Sequence, residues 1–115
     1  SNGKIILGAT REWAGEDKRL TVGGLSWLMN GGMEIIPNIK DSAIKETWTG
    51  FRPVTSDYLP LIGKGNLEGL YFCTGHGPSG VGPAPASAKI IVSLLTGISI
   101  DVDITPYNPM RFSNN

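Results

Sequence analysis

Apolar positions recur along the chain with two different spacings. From Thr21 to about Ile36, the residues Val22, Leu25, Leu28, Met29, Met33 and Ile36 fall at three- and four-residue intervals, the stripe of an amphipathic helix. Thr21 can cap its first turn, and Pro37 stops it. Gly31 and Gly32 weaken this helix by roughly 1 kcal/mol each relative to alanine. Between Ala43 and Pro53 the period is two. Ile44, Glu46, Trp48 and Gly50 share one face, while Lys45, Thr47, Thr49 and Phe51 share the other. That alternation predicts a strand of an antiparallel sheet.

Three shorter apolar runs complete the pattern. Lys4 to Ala9 holds the continuous run Ile5, Ile6, Leu7, as in a strand covered on both faces. Leu59 to Gly63 predicts a short strand after the turn residues Thr55, Ser56 and Asp57, and Leu70 to Cys73 predicts a buried one. A second helix should start near Pro83 and end at Gly97, since proline is tolerated in a first turn and glycine closes a last one. Beyond it, Ile100, Val102 and Ile104 alternate with polar residues and suit a brief edge strand in a surface tail. The fold class predicted is α+β, with antiparallel strands and two main helices.

Composition narrows the function. In 115 residues there is room for one core, and ten Lys plus Arg balance ten Asp plus Glu, which argues against a nucleic-acid partner. One cysteine and one histidine exclude an internal disulfide and make a zinc site an unpromising reading. With no spanning stretch and no signal-peptide core, the chain reads as soluble and cytoplasmic. The polar loop from Thr10 to Lys18, with Arg11, Glu12, Glu16 and Asp17, reads as solvated. Ser1 and Asn2 resemble a cloning scar, and the chain reads as a fragment of a longer protein.

The stretch from Leu70 to Gly97 carries most of the candidate chemistry: an apolar strand, a turn with Gly75, Gly77, Gly80 and Gly82, then an alanine-rich helix. With the helix beginning near Pro83, the amides of Ser79, Gly80, Val81, Gly82 and Ala84 are expected to be free. Such donors suit a phosphate, a carboxylate or an electron-rich ring edge. An ordinary structural turn is the competing reading, and neither a Walker A loop nor a Rossmann fingerprint is present. Two side chains stand out nearby. Arg52, between Phe51 and Pro53, could fork a carboxylate or form a surface ion pair with Asp57 or Glu46. His76 could face a ligand, though no nucleophile or carboxylate partner is visible for it.

Four blocks, GATRE, TVGGLSWL, WTGFRPVTSDYLPLIG and LYFCTGHGPSGVGPAPASAK, occur in an order and spacing that resembles the C-terminal part of the D-amino-acid oxidase superfamily. This group of FAD-dependent oxidoreductases includes glycine oxidase, sarcosine oxidase and D-amino-acid dehydrogenase. The closing TPYNPMRF is similar to the family's usual end. The resemblance implies a flavoenzyme acting on a small amino acid or amine, with FAD as cofactor and hydride transfer from the substrate Cα–H to the flavin N5. It also implies that Arg52 of the Gly50-Phe51-Arg52-Pro53 segment binds the substrate carboxylate. Gly50, Gly75, His76, Gly77, Pro78, Ser79, Gly80 and Val81 become cofactor contacts, and the helix-end amides acquire the pyrimidine side of a reduced flavin as their target. Gly77 and Pro78 stand where glycine oxidases tend to carry a bulky residue and an arginine, which leans toward dehydrogenase or sarcosine-type members.

On this resemblance, residues 3–69 form part of a substrate-binding domain, 70–97 the last strand, loop and helix of an FAD-binding domain, and 98–115 a tail. The family's amino-terminal dinucleotide-binding unit has no counterpart, so the fragment is expected to be inactive and not to hold FAD by itself. Its missing partner is the N-terminal part of the same chain, and a homo-oligomer is left open. A stand-alone α+β module binding a small anion without catalysis is the alternative.

Overall fold

The computed structural model describes residues 3–113; the suspected scar at Ser1 and Asn2 lies outside the described residues, as do Asn114 and Asn115. The chain divides into two compact units, one up to Gly50 and one from Phe51 onward.

The first unit is built on helix α1, Val22–Ile35. Thr21 caps it in extended conformation, its hydroxyl accepting from the Gly24 N–H at 3.0 Å, so that one otherwise unpaired donor of the first turn is satisfied. Leu25, Leu28, Met29 and Met33 are half-buried as expected, but Val22 is 83% exposed and Ile36 is also outside the buried face. The buried face centres instead on Gly32, where an added Cβ would stand 2.7 Å from a Leu7 methyl. Gly32 therefore weakens the helix by propensity and permits the approach of segment 4–9. A 3₁₀ turn, Pro37–Asp41, follows.

Neither Lys4–Ala9 nor Ala43–Pro53 forms part of a β-ladder among the described residues, contrary to the pattern in both. Alternation prepares a segment for a sheet, but a strand exists only when a neighbour supplies its hydrogen bonds. Ile5, Ile6, Ile44 and Trp48 are left exposed. The loop at 10–18 is solvated as read, with Asp17 and Arg19 forming a surface ion pair at 2.7 Å.

The second unit holds an antiparallel hairpin of β1, Leu61–Lys64, and β2, Tyr71–Thr74, pairing Leu61 with Thr74 and Lys64 with Tyr71. Helix α2, Ala84–Thr96, packs on both strands. Its buried face is Ser87, Ile90 and Ser93, a spacing of three whose small serines let the helix sit close to the hairpin. Ile62, 3% exposed, is the strand's contribution to this core. Gly97 ends the helix at φ +73°, the left-handed closure that glycine adopts without strain. The expected edge strand at 100–104 does not form; the tail instead makes 3₁₀ turns at Thr105–Tyr107 and Pro109–Phe112, each with proline near its start. Among the described residues, two α-helices and one antiparallel strand pair thus give the α+β class.

Candidate functional site

The site begins where β1 and β2 leave their ladder. Val54 forms an isolated antiparallel bridge with His76, and the Gly77 N–H donates to the Pro53 carbonyl at 3.0 Å. Two segments far apart in sequence thereby lie side by side. Arg52 is exposed and lies two residues ahead of the bridge.

Gly75 makes this junction sterically feasible. It is buried at φ +80°, and a Cβ there would stand 3.0 Å from the Thr55 Cγ2. Only glycine combines that dihedral with that contact at low cost. After His76 the loop tightens into a 3₁₀ turn at Gly77–Ser79. The Gly82 N–H then donates to the Ser79 carbonyl at 3.2 Å, which corrects the expectation that this amide is free. Closely spaced glycine and proline favour i to i+3 closure, and such turns consume their own donors. Helix α2 has Pro83 as its N-cap, with no side chain capping its first turn.

His76 is turned toward the helix. Its Nε2 lies 2.8 Å from the Ser87 Oγ, and Ser87 is 2% exposed. A serine hydroxyl donates or accepts, so it serves either imidazole tautomer. Gly80 folds back over the same side chain, since a Cβ on it would lie 3.3 Å from the His76 Cβ. Pro78 and Ser79 are exposed, and Val81 is 92% exposed at the outer edge of the loop. Gly50 closes the first unit, and a Cβ there would meet nothing within 4 Å.

Asp57 is engaged by Arg111, whose Nε and Nη2 donate to its two carboxylate oxygens at 2.7 and 2.9 Å. That guanidinium holds the Asp57 carboxyl well below the usual carboxylate range, and Asp57 raises Arg111 in return. Asp57, one of the two carboxylates considered as a surface partner of Arg52, is thus engaged by Arg111. Nothing in the sequence pattern singled out Arg111. A groove of about 270 Å³ between β1, α2 and the tail, lined by Ile62, Lys64, Leu94, Ile104 and Pro109 among others, contains none of the predicted site residues.

An exposed arginine thus lies two residues ahead of the segment bridged to the glycine-rich loop, and a serine of helix α2 holds the loop's histidine. Residues 1–94 match the family model of FAD dependent oxidoreductases (DAO), and the chain belongs to this family. It is 38% identical over 111 residues to the uncharacterized oxidoreductase YurR of Bacillus subtilis, covering 94% of this chain and 30% of that protein. Glycine oxidase of Pseudomonas putida is 36% identical over 109 residues, with the same two shares, 94% and 30%. Among solved structures, iminodiacetate oxidase (IdaA) from Chelativorans sp. BNC1 is similar with a TM-score of 0.75 at 29% identity, covering 85% of this chain and 27% of that one. The chain therefore spans 30% of the length of these curated relatives.

Proposed function

We propose that the chain is the C-terminal portion of an FAD-dependent oxidoreductase acting on a small amine or amino acid, and that it supplies the carboxylate anchor and the loop along the flavin. The observation that carries this reading is the Val54–His76 bridge, which pairs the segment carrying Arg52 with the one carrying the loop of Gly75 to Val81. The residues suit the cofactor. The loop is glycine-rich, with Pro78, Ser79 and the uncovered Val81 exposed along it, and its glycines let a flat ring approach the backbone closely. FAD, when bound, would supply a two-electron acceptor for oxidation of the substrate at Cα, with the glycine-rich loop holding the ring and Arg52 the substrate.

The chain's own residues then have separate tasks. Arg52 takes the substrate carboxylate through its planar fork, which fixes the orientation of the Cα–H. Gly75, Gly77, Pro78, Ser79, Gly80 and Val81 line the ring, while His76 stands behind them. Gly50 is the remaining contact. In this reading residues 3–69 belong to a substrate-binding domain, 70–97 to the cofactor domain, and the rest of the polypeptide completes both. The relatives support the substrate class, since one is named for glycine and another for iminodiacetate, both amines that carry a carboxylate.

The uncovered apolar side chains support incompleteness of the isolated chain. Trp13 is 85% exposed, Ile6 75% and Ile35 82%, while among the described residues the buried hydrophobics are Ile62 and Ile90. The isolated chain is accordingly inactive in this reading and holds no FAD tightly. Purifying the full-length protein and recording its visible spectrum tests the assignment. A yellow protein whose flavin band bleaches anaerobically with glycine, sarcosine, proline, iminodiacetate or a D-amino acid is expected; a colourless protein indifferent to added FAD would reject it.

A further inference from the structure

We infer that His76 and Ser87 act as one positioning unit, a strut from helix α2 that sets the presentation of the glycine-rich loop to the flavin, and that the imidazole works from behind the loop. This rests on the flavoenzyme reading and adds to it a role for Ser87 and a direction for His76. Three observations converge. The Nε2 to Oγ separation is 2.8 Å, and Ser87 is 2% exposed on the buried face of α2. Among the described residues no buried side-chain nitrogen or oxygen lacks a partner, so removing the imidazole leaves the buried Ser87 hydroxyl without the partner it has here. The loop closes over the ring's root: the Gly77 N–H holds Pro53, the Gly82 N–H holds Ser79, and Gly80 packs on the His76 Cβ.

The strut therefore joins three elements: the bridge to Val54, the 3₁₀ turn of Gly77–Ser79, and the first turn of α2. Breaking it frees the loop backbone relative to Arg52, and the two halves of the site lose their common register. A loop held in one arrangement loses less entropy on ligand binding than a mobile one. Ser87 is thus a positioning residue that acts through His76.

The test is a double-mutant cycle in the full-length protein, read first by FAD titration of the apoprotein and by the shape of the bound flavin's absorbance band. His76→Ala and Ser87→Ala are each expected to weaken FAD binding on the order of tenfold, with the double variant no weaker than either single one. His76→Gln, whose amide can still meet the Ser87 hydroxyl, should recover most of that loss. Should the alanine variants fold poorly, His76→Gln and Ser87→Thr retain polar groups and carry the comparison. A purely structural pair would lower the unfolding midpoint yet leave FAD affinity and band shape of the folded protein unchanged, and that outcome overturns the inference. So do effects of the two substitutions that simply multiply. A wild-type protein that takes no FAD instead sinks the flavoenzyme reading itself.

Discussion

Arg111 reaches across 54 positions of sequence to grip Asp57 with hydrogen bonds of 2.7 and 2.9 Å. The same guanidinium donates to the Leu59 carbonyl at 2.7 Å and the Pro60 carbonyl at 3.3 Å, and it stacks 4.5 Å from the Phe112 ring centroid. The tail is thereby fastened to the turn that feeds β1. In that turn Asp57 also accepts from the Leu59 N–H at 3.1 Å, and Tyr58 occupies φ +61°. A bidentate pair with several backbone acceptors has the fixed geometry that isolated surface ion pairs lack.

The pair makes stability depend on acid. Asp57 is shifted downward in the folded state, so its contribution is complete above the ordinary aspartate value of 3.8 and is lost as pH falls below it toward the folded value. Thermal midpoints of the full-length protein between about pH 5 and about pH 2 should fall less steeply for Asp57→Asn than for wild type. At neutral pH the variant should be the less stable of the two. Equal slopes would remove the pair from the account.

At Gly75 the prediction concerns backbone strain. With φ at +80° and Thr55 only 3.0 Å from an added Cβ, Gly75→Ala should cost about 1–3 kcal/mol. Because the residue precedes the Val54–His76 bridge, it should also speed amide exchange at Gly77. Hydrogen exchange of the full-length protein reads both effects.

What was legible in the sequence was local. Thr21 announced the start of α1, Gly97 the end of α2, and the runs around Leu61 and Tyr71 the hairpin, because each depends on neighbours a few residues away. The segments at 4–9 and 43–53 carried strand patterns that the structure does not use, since the pattern specifies a face but not a partner. Arg111 carries no signal of its own in the sequence, because its significance lies in Asp57 and no periodicity connects a tail arginine to a turn so distant. For the site, Arg52 and the glycine loop were readable as separate candidates. The pairing of their two segments came only from the bridge between Val54 and His76, and the inward direction of the imidazole only from Ser87.

The cap at Thr21 provides a further check. Thr21→Ala removes the acceptor for the Gly24 N–H and should destabilise the start of α1 by about 1 kcal/mol. Amide exchange at Gly24 and Leu25 in the full-length protein should quicken by roughly fivefold, while Thr21→Ser should leave it almost unchanged.

Tryptophan emission reports on covering of the exposed face. Trp13, Trp27 and Trp48 are 85%, 67% and 62% exposed, so the isolated chain should fluoresce like tryptophan in water. In the full-length protein the emission should shift to the blue as other parts of the polypeptide cover these rings. Identical spectra would contradict the reading that this chain is completed by more of its own polypeptide.

Anaerobic stopped-flow reduction of the flavin in the full-length protein, wild type against Arg52→Ala, probes the central claim most directly. A lost charge-assisted carboxylate contact of about 2–3 kcal/mol should raise the apparent Kd for the amino-acid substrate roughly 30- to 150-fold. Arg52→Lys should fall between the two, because a point charge replaces a fork. A carboxylate substrate that reduces the flavin with the same apparent Kd in all three proteins would contradict the placement of Arg52 at the substrate.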